Sequence, residues 1–125
     1  MLYAILFYKS EAAVGSWTKE HEDQVMSRLY VAQEKIASRH RLGPVARLLP
    51  TNAAATIRHD KDAPLVIDGP FAETKEQLLG FYLVECETRE EAVQAAKEIS
   101  EANPGGAHEV RPVAVYYPQG RHAGA

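Results

Sequence analysis

Cysteine is almost missing from this chain: Cys86 is the single one among 125 residues. Neither an intrachain disulfide nor a cysteine metal cluster can form within one copy, and a reducing, cytoplasmic setting is the expectation. Positive charge is also in short supply. Fourteen Lys and Arg stand against 17 Asp and Glu, a formal net charge of -3, which gives no basic field for direct nucleic-acid binding. The apolar opening Met1 to Tyr8 is far below the ~20 residues of a membrane span. It has no basic region before it and no small-residue cleavage site after it, so it is expected to be a strand rather than a signal. No internal repeat, low-complexity tract or linker is visible.

What remains has an ordinary globular balance, 46% hydrophobic and 25% charged, in a chain long enough for one core and too short for two. One domain over 1–117 with a flexible tail over 118–125 is expected. Leu2 to Tyr8 reads as a strand, apolar on both faces: Leu2, Ala4, Leu6 and Tyr8 on one, Tyr3, Ile5 and Phe7 on the other. Ala12 to Trp17 reads as a loop broken by Gly15 and Ser16. Thr18 then caps a helix running from about Lys19 to about His40, with Val25, Leu29, Ala32 and Ile36 as its buried stripe. Arg39, His40 and Arg41 suit the negative end of that helix, and Gly43 is expected as a left-handed cap with Pro44 as the stop.

Val45 to Leu49 and Ala54 to His59 are short strand candidates, and Leu65 to Asp68 is expected to pair back across the polar turn at 60–63. One helical turn over Thr74 to Leu78 precedes the clearest internal strand, Gly80 to Cys86, again apolar on both faces. Thr88-Arg89-Glu90-Glu91 is a capping box opening a second helix with a small-residue face of Ala92, Ala95, Ala96 and Ile99. Asn103-Pro104-Gly105-Gly106 ends it, and His108 to Arg111 with Val113 to Tyr117 forms a last strand bent at Pro112.

Strand, helix, several strands, helix, strand is the order of two right-handed crossover units in one antiparallel sheet. This predicts an α+β, ferredoxin-like fold with both helices on one face. The other face is then bare, although exposing such side chains forfeits roughly 1.5–3 kcal/mol each. A second copy, sheet against sheet, would cover it and give a homodimer of the dimeric α+β barrel type. Titratable groups between sheet edge and dimer seam would line a cleft fit for a small ligand.

The chain's stiffest polar stretch is Asp68-Gly69-Pro70-Phe71-Ala72-Glu73-Thr74-Lys75-Glu76-Gln77. Gly69 can take positive φ, and Pro70 fixes its own φ and restricts Gly69. With Leu78-Leu79-Gly80-Phe81-Tyr82-Leu83 behind it, this stretch resembles the signature of the DGPF branch of the YCII-related proteins. The resemblance extends over Leu2 to Tyr8, Thr88 to Ala96 and Gly105 to Pro112. It implies the ferredoxin-like fold and the dimeric habit, and suggests a regulatory link to an extracytoplasmic-function sigma factor. It names no reaction. Leu79 departs from the pattern, which commonly has a second glycine before Gly80.

Asp68, at a strand end before a rigid turn, has the setting of a general acid or base, and equally that of an Asx turn capping its own backbone. His21 lies in the first helical turn, where the helix dipole favours neutral imidazole. The resemblance implies a histidine near this helix start acting with an aspartate elsewhere in the family; a plain surface histidine is the other reading. Glu73 and Lys75 are candidates for positioning an anionic ligand or members of a solvated turn. Tyr82 is a hydrogen-bond donor to a ligand or a packing residue, and Arg111 a carboxylate clamp or a structural pair. No histidine pair has metal spacing, Gly105-Gly106 is no phosphate loop, and Cys86 reads as inert.

Two functions follow from different classes. One is a cofactor-independent small-molecule enzyme, isomerase-, lyase- or dehydrochlorinase-like, in which Asp68 with His21 moves a proton while Glu73, Lys75, Tyr82 and Arg111 hold the substrate. The other is a non-catalytic dimeric binding or regulatory module, whose charged loop meets a partner.

Overall fold

A computed structural model describes residues 1–59 and 61–121. The strand β1 (Leu2–Lys9) leads into a short helix α1 (Glu11–Gly15) and the long helix α2 (Lys19–Arg39). Then come β2 (Arg41–Arg47), a 3-10 turn at Thr51–Ala53, β3 (Ala55–His59), β4 (Pro64–Asp68), β5 (Gln77–Glu85), α3 (Arg89–Ala102) and β6 (Ala107–Pro112). Four strands form an antiparallel sheet in the order β2-β5-β1-β6, and β3 with β4 forms a separate two-stranded hairpin. This is the ferredoxin-like order expected from the sequence.

Register assigns the two faces. Ile5 sits opposite Tyr82 and Val110, and Tyr3 opposite Val84. On this face Ile5 and Val84 are fully buried, and they join one cluster with Val25, Leu29, Ala32 and Ile36 of α2 and Ala92, Ala95, Ala96 and Ile99 of α3. Both long helices therefore cover the same side. Their start signals work as read: the Thr18 hydroxyl accepts from the His21 backbone N–H at 3.1 Å, and Thr88 with Glu91 completes the capping box. Leu2, Ala4, Leu6, Phe81 and Leu83 project to the opposite face, which no helix among the described residues covers; all five are half-buried and none joins the core cluster.

Four local expectations give way. The Ala12 to Trp17 loop is instead α1, because Ser10 caps it through Ala13 N–H at 3.2 Å and Glu11-Ala12-Ala13 favour helix; Gly15 and Ser16 end it rather than prevent it. Gly43 and Pro44 do not cap α2. The helix stops at His40 in extended geometry, and both residues lie inside β2, which begins four residues earlier than Val45. A Cβ on Gly43 would stand 3.3 Å from Leu83, so the glycine serves close strand approach. Pro44 falls at the register shift between Leu42 and Val45 on a sheet edge, where a missing N–H costs least. Over Thr74 to Leu78 there is no helical turn: the Gln77 amide donates to the Ala72 and Thr74 carbonyls at 2.9 and 3.1 Å, and β5 starts at Gln77. The last strand ends at Pro112, after which Val113 N–H turns back to Leu2 O at 2.8 Å.

The hairpin pairs Ala55 with Asp68 through His59 with Pro64, as expected. It leaves Ile57, Val66 and Phe71 strongly exposed, at 65%, 72% and 72%. The end of the tail, 122–125, lies outside the described residues.

Candidate functional site

A concavity lies on the helix side of the sheet. A cavity of about 570 Å³ opens between α2 and the β2 end of the sheet, with α1 closing one end. Val25, Met26 and Leu29 of α2 form one wall, Val45 with Leu48 and Leu49 another, and Phe7, Leu79 and Tyr82 the floor. Trp17, between α1 and α2, closes the end beside Val14. The volume and the predominantly apolar lining suit a small organic ligand.

Close backbone packing shapes the floor. A Cβ on Gly80 would come within 2.5 Å of the Ala46 carbonyl oxygen, so glycine is required where β5 meets β2. Leu79, where the sequence resemblance leads one to expect another glycine, is buried and takes up space in the same cavity.

The polar groups of the lining are mostly engaged with one another. The Glu11 carboxylate accepts from the Thr51 backbone N–H at 2.7 Å and from the Thr51 hydroxyl, tying α1 to the turn after β2. Arg47 donates to Glu22 Oε1 at 3.3 Å, linking β2 to α2. Burial pushes the Tyr82 phenol pKa up, with the Gln33 amide of the same lining pulling the other way, so Tyr82 stays a neutral donor.

At the closed end stands a buried lysine. Lys9 is only 6% exposed; its ammonium donates to Asn103 Oδ1 at 2.6 Å and to the Pro104 carbonyl at 2.7 Å, and sits 4.6 Å from the centre of the Trp17 ring. Burial lowers its pKa. Asn103 is the C-cap of α3, so a cation here also meets the negative end of that helix. Across from Phe7, His108 stacks on that ring at 4.9 Å, and burial followed by the Lys9 charge lowers its pKa, keeping the imidazole neutral. Its Nε2 is buried without a hydrogen-bond partner.

The residues singled out from the sequence scatter around this cavity. Tyr82 lines it. His21 is exposed, and its ring meets Trp17 edge-on at 4.8 Å, one residue removed from the lining. Asp68 is exposed at the end of β4, and Glu73 and Lys75 are exposed in the segment that follows; none lines the cavity. Gly69 has the expected positive φ, 107°. Arg111 lies on the open face, where it binds Glu109 of its own strand; Tyr8 also donates to Glu109, at 3.3 Å. Asp68 and His21 are not brought together by any contact within the chain. Cys86 is buried, and burial raises its thiol pKa, in keeping with an inert residue. Among the described residues no group of three or more His, Cys, Asp or Glu is placed to hold a metal ion, and no helix is long and apolar enough to cross a membrane.

Sequence reasoning passed over Glu11, Trp17 and Lys9. A signal for Lys9 was present: alternation along Tyr3, Ile5, Phe7 and Lys9 puts it on the core face.

Fold and cavity together define an α+β, ferredoxin-like domain with a helix-side pocket and an open sheet face. The chain belongs to the YCII-related family, whose domain description matches residues 1–116. It is also similar to the uncharacterized protein R00369 of Rhizobium meliloti (strain 1021), 53% identical over 119 residues, covering 94% of this chain and 96% of that protein.

Proposed function

We propose that this YCII-related protein binds a small organic molecule in the cavity between α2 and the sheet. The observation that carries the reading is the cavity itself: about 570 Å³, walled by Val25, Met26, Leu29, Val45 and Leu49, with the Tyr82 hydroxyl and the Gln33 amide also in its lining. Acid–base chemistry on the bound molecule would fall to His21, whose ring packs edge-on against the lining residue Trp17. Asp68 would have to reach the cavity from elsewhere in an assembly.

The chain has one tryptophan, and it lines the cavity, so binding has a built-in reporter. Nile red titrated into the protein should quench Trp17 by energy transfer and saturate at one dye per chain. Val14→Trp, which fills the α1 end, should abolish saturable dye fluorescence; dye binding that is absent in the wild type, or unchanged in Val14→Trp, contradicts the reading.

The same proposal includes a homodimer formed through the open sheet face. Its support is the row Leu2, Ala4, Leu6, Phe81 and Leu83, which no helix among the described residues covers. Sedimentation should show a dimer that Leu6→Asp converts to a folded monomer; a wild-type monomer contradicts it.

A further inference from the structure

The chemical class of the ligand follows from how the lining is charged, and this step rests on the binding role proposed for the cavity. Glu11 and Glu22 are the carboxylates of the lining, and Arg47 is its one cation among the described residues. Arg47 already meets Glu22, and its side chain is 62% exposed, which places the pair toward water. Glu11 is held by both donors of Thr51. Lys9, close behind, is held by Asn103, the Pro104 carbonyl and the Trp17 ring.

An anionic head group carried past the water-side Arg47–Glu22 pair into the apolar interior would lose its water and meet no free cation of the lining. A cationic head group would have to compete with Arg47 for Glu22 or with Thr51 for Glu11. Either charge would be buried without a partner of its own, which is strongly unfavourable. A neutral group escapes that cost. The Tyr82 phenol and the Gln33 amide both line the cavity, and together they offer a donor and an acceptor to one hydroxyl or carbonyl.

We infer that the cavity takes an uncharged, largely apolar molecule carrying a single hydroxyl or carbonyl, which bonds to the Tyr82–Gln33 pair while its hydrocarbon packs against Met26, Leu29, Val45 and Leu49.

Competition for bound Nile red at neutral pH separates this from the alternatives. The competitors are 1-decanol, decanoate and decylammonium, which share a chain and differ in charge. 1-Decanol should displace the dye at a concentration about tenfold lower than either ion, a difference of the size one unpaired buried polar interaction gives. Equal or better displacement by decanoate or decylammonium overturns the inference while leaving the binding role intact. Failure of Nile red to bind at all removes both. Tyr82→Phe should weaken displacement by 1-decanol several-fold and leave decane unaffected, and Gln33→Leu, nearer the surface, should do the same should Tyr82→Phe not fold. An unchanged 1-decanol preference in a folded variant of either kind refutes the assigned hydrogen-bonding pair.

Discussion

Around the cavity, charged side chains are engaged with partners, whereas the charged ones along Asp68 to Gln77 stand in solvent. Glu22 meets Arg47, Glu11 meets Thr51, and Lys9 is fastened to the end of α3. Glu73, Lys75 and Glu76 are exposed, and the hairpin leading to them shares no strand pairing with the main sheet. The difference separates two kinds of polar residue. Those of the loop have the types that catalysis uses; those of the cavity have the fixed geometry that binding uses. Residue type alone points to the loop before β5, whereas fixed geometry points to the cavity that the same end of β5 lines with Leu79, Gly80 and Tyr82; the loop keeps a role open at an interface between copies.

Stability measurements sharpen this contrast. The largest effect is expected at the cavity's own scaffold: Ile36→Ala, in the fully buried stripe of α2, should lower unfolding free energy by about 2–5 kcal/mol in urea titrations. Glu73→Gln in the exposed loop should change it by less than about 0.5 kcal/mol. A loop substitution as costly as the core one would mean that the loop is structurally integrated in a way its exposure does not suggest.

The buried lysine comes next. Lys9→Met keeps the length of the side chain and removes its donors, leaving Asn103 Oδ1 and the Pro104 carbonyl without their cation. A loss of about 1–3 kcal/mol is expected, with a Trp17 emission maximum shifted because the ammonium no longer sits on the ring. Lys75→Met, in the loop, should move neither quantity.

The smallest effect concerns acid. Arg39 holds Glu98 with two hydrogen bonds across α2 and α3, and this lowers the Glu98 pKa below its usual value. A group whose folded pKa is depressed contributes stability above its unfolded pKa, near about 4.3 for glutamate, and loses it as pH falls through the folded value. Urea midpoints should therefore fall more steeply below that pH in the wild type than in Glu98→Gln. Equal slopes would show that the pair adds nothing to folding.

Much of the fold was legible because its signals are local and redundant. Val25, Leu29, Ala32 and Ile36 recur at helical spacing, Thr18 and Thr88 cap where they should, and two strands apolar on both faces announce a sheet. Gly43 and Pro44 misled because a glycine-proline pair after basic residues has the composition of a helix end. Its real cause is the approach of Leu83 from a neighbouring strand, a contact between residues 40 positions apart. The cavity was hidden for a similar reason. Its walls come from α1, α2, β2 and β5, and apolar residues at these positions look in sequence like any other core. Tyr82, which lines the cavity, stands out in the sequence because an aromatic hydroxyl in a strand asks for a partner. Lys9 was missed because a lysine after a strand reads as its boundary, although the alternation of β1 carries it inward.

Hydrogen exchange with and without 1-decanol tests the central claim most directly, since it reports on both regions in one experiment. The account predicts slowed exchange in α1, the first half of α2 and the segment from Val45 to Thr51, with Asp68 to Gln77 unchanged. Protection confined to Asp68 to Gln77, with the cavity segments unaltered, would contradict it.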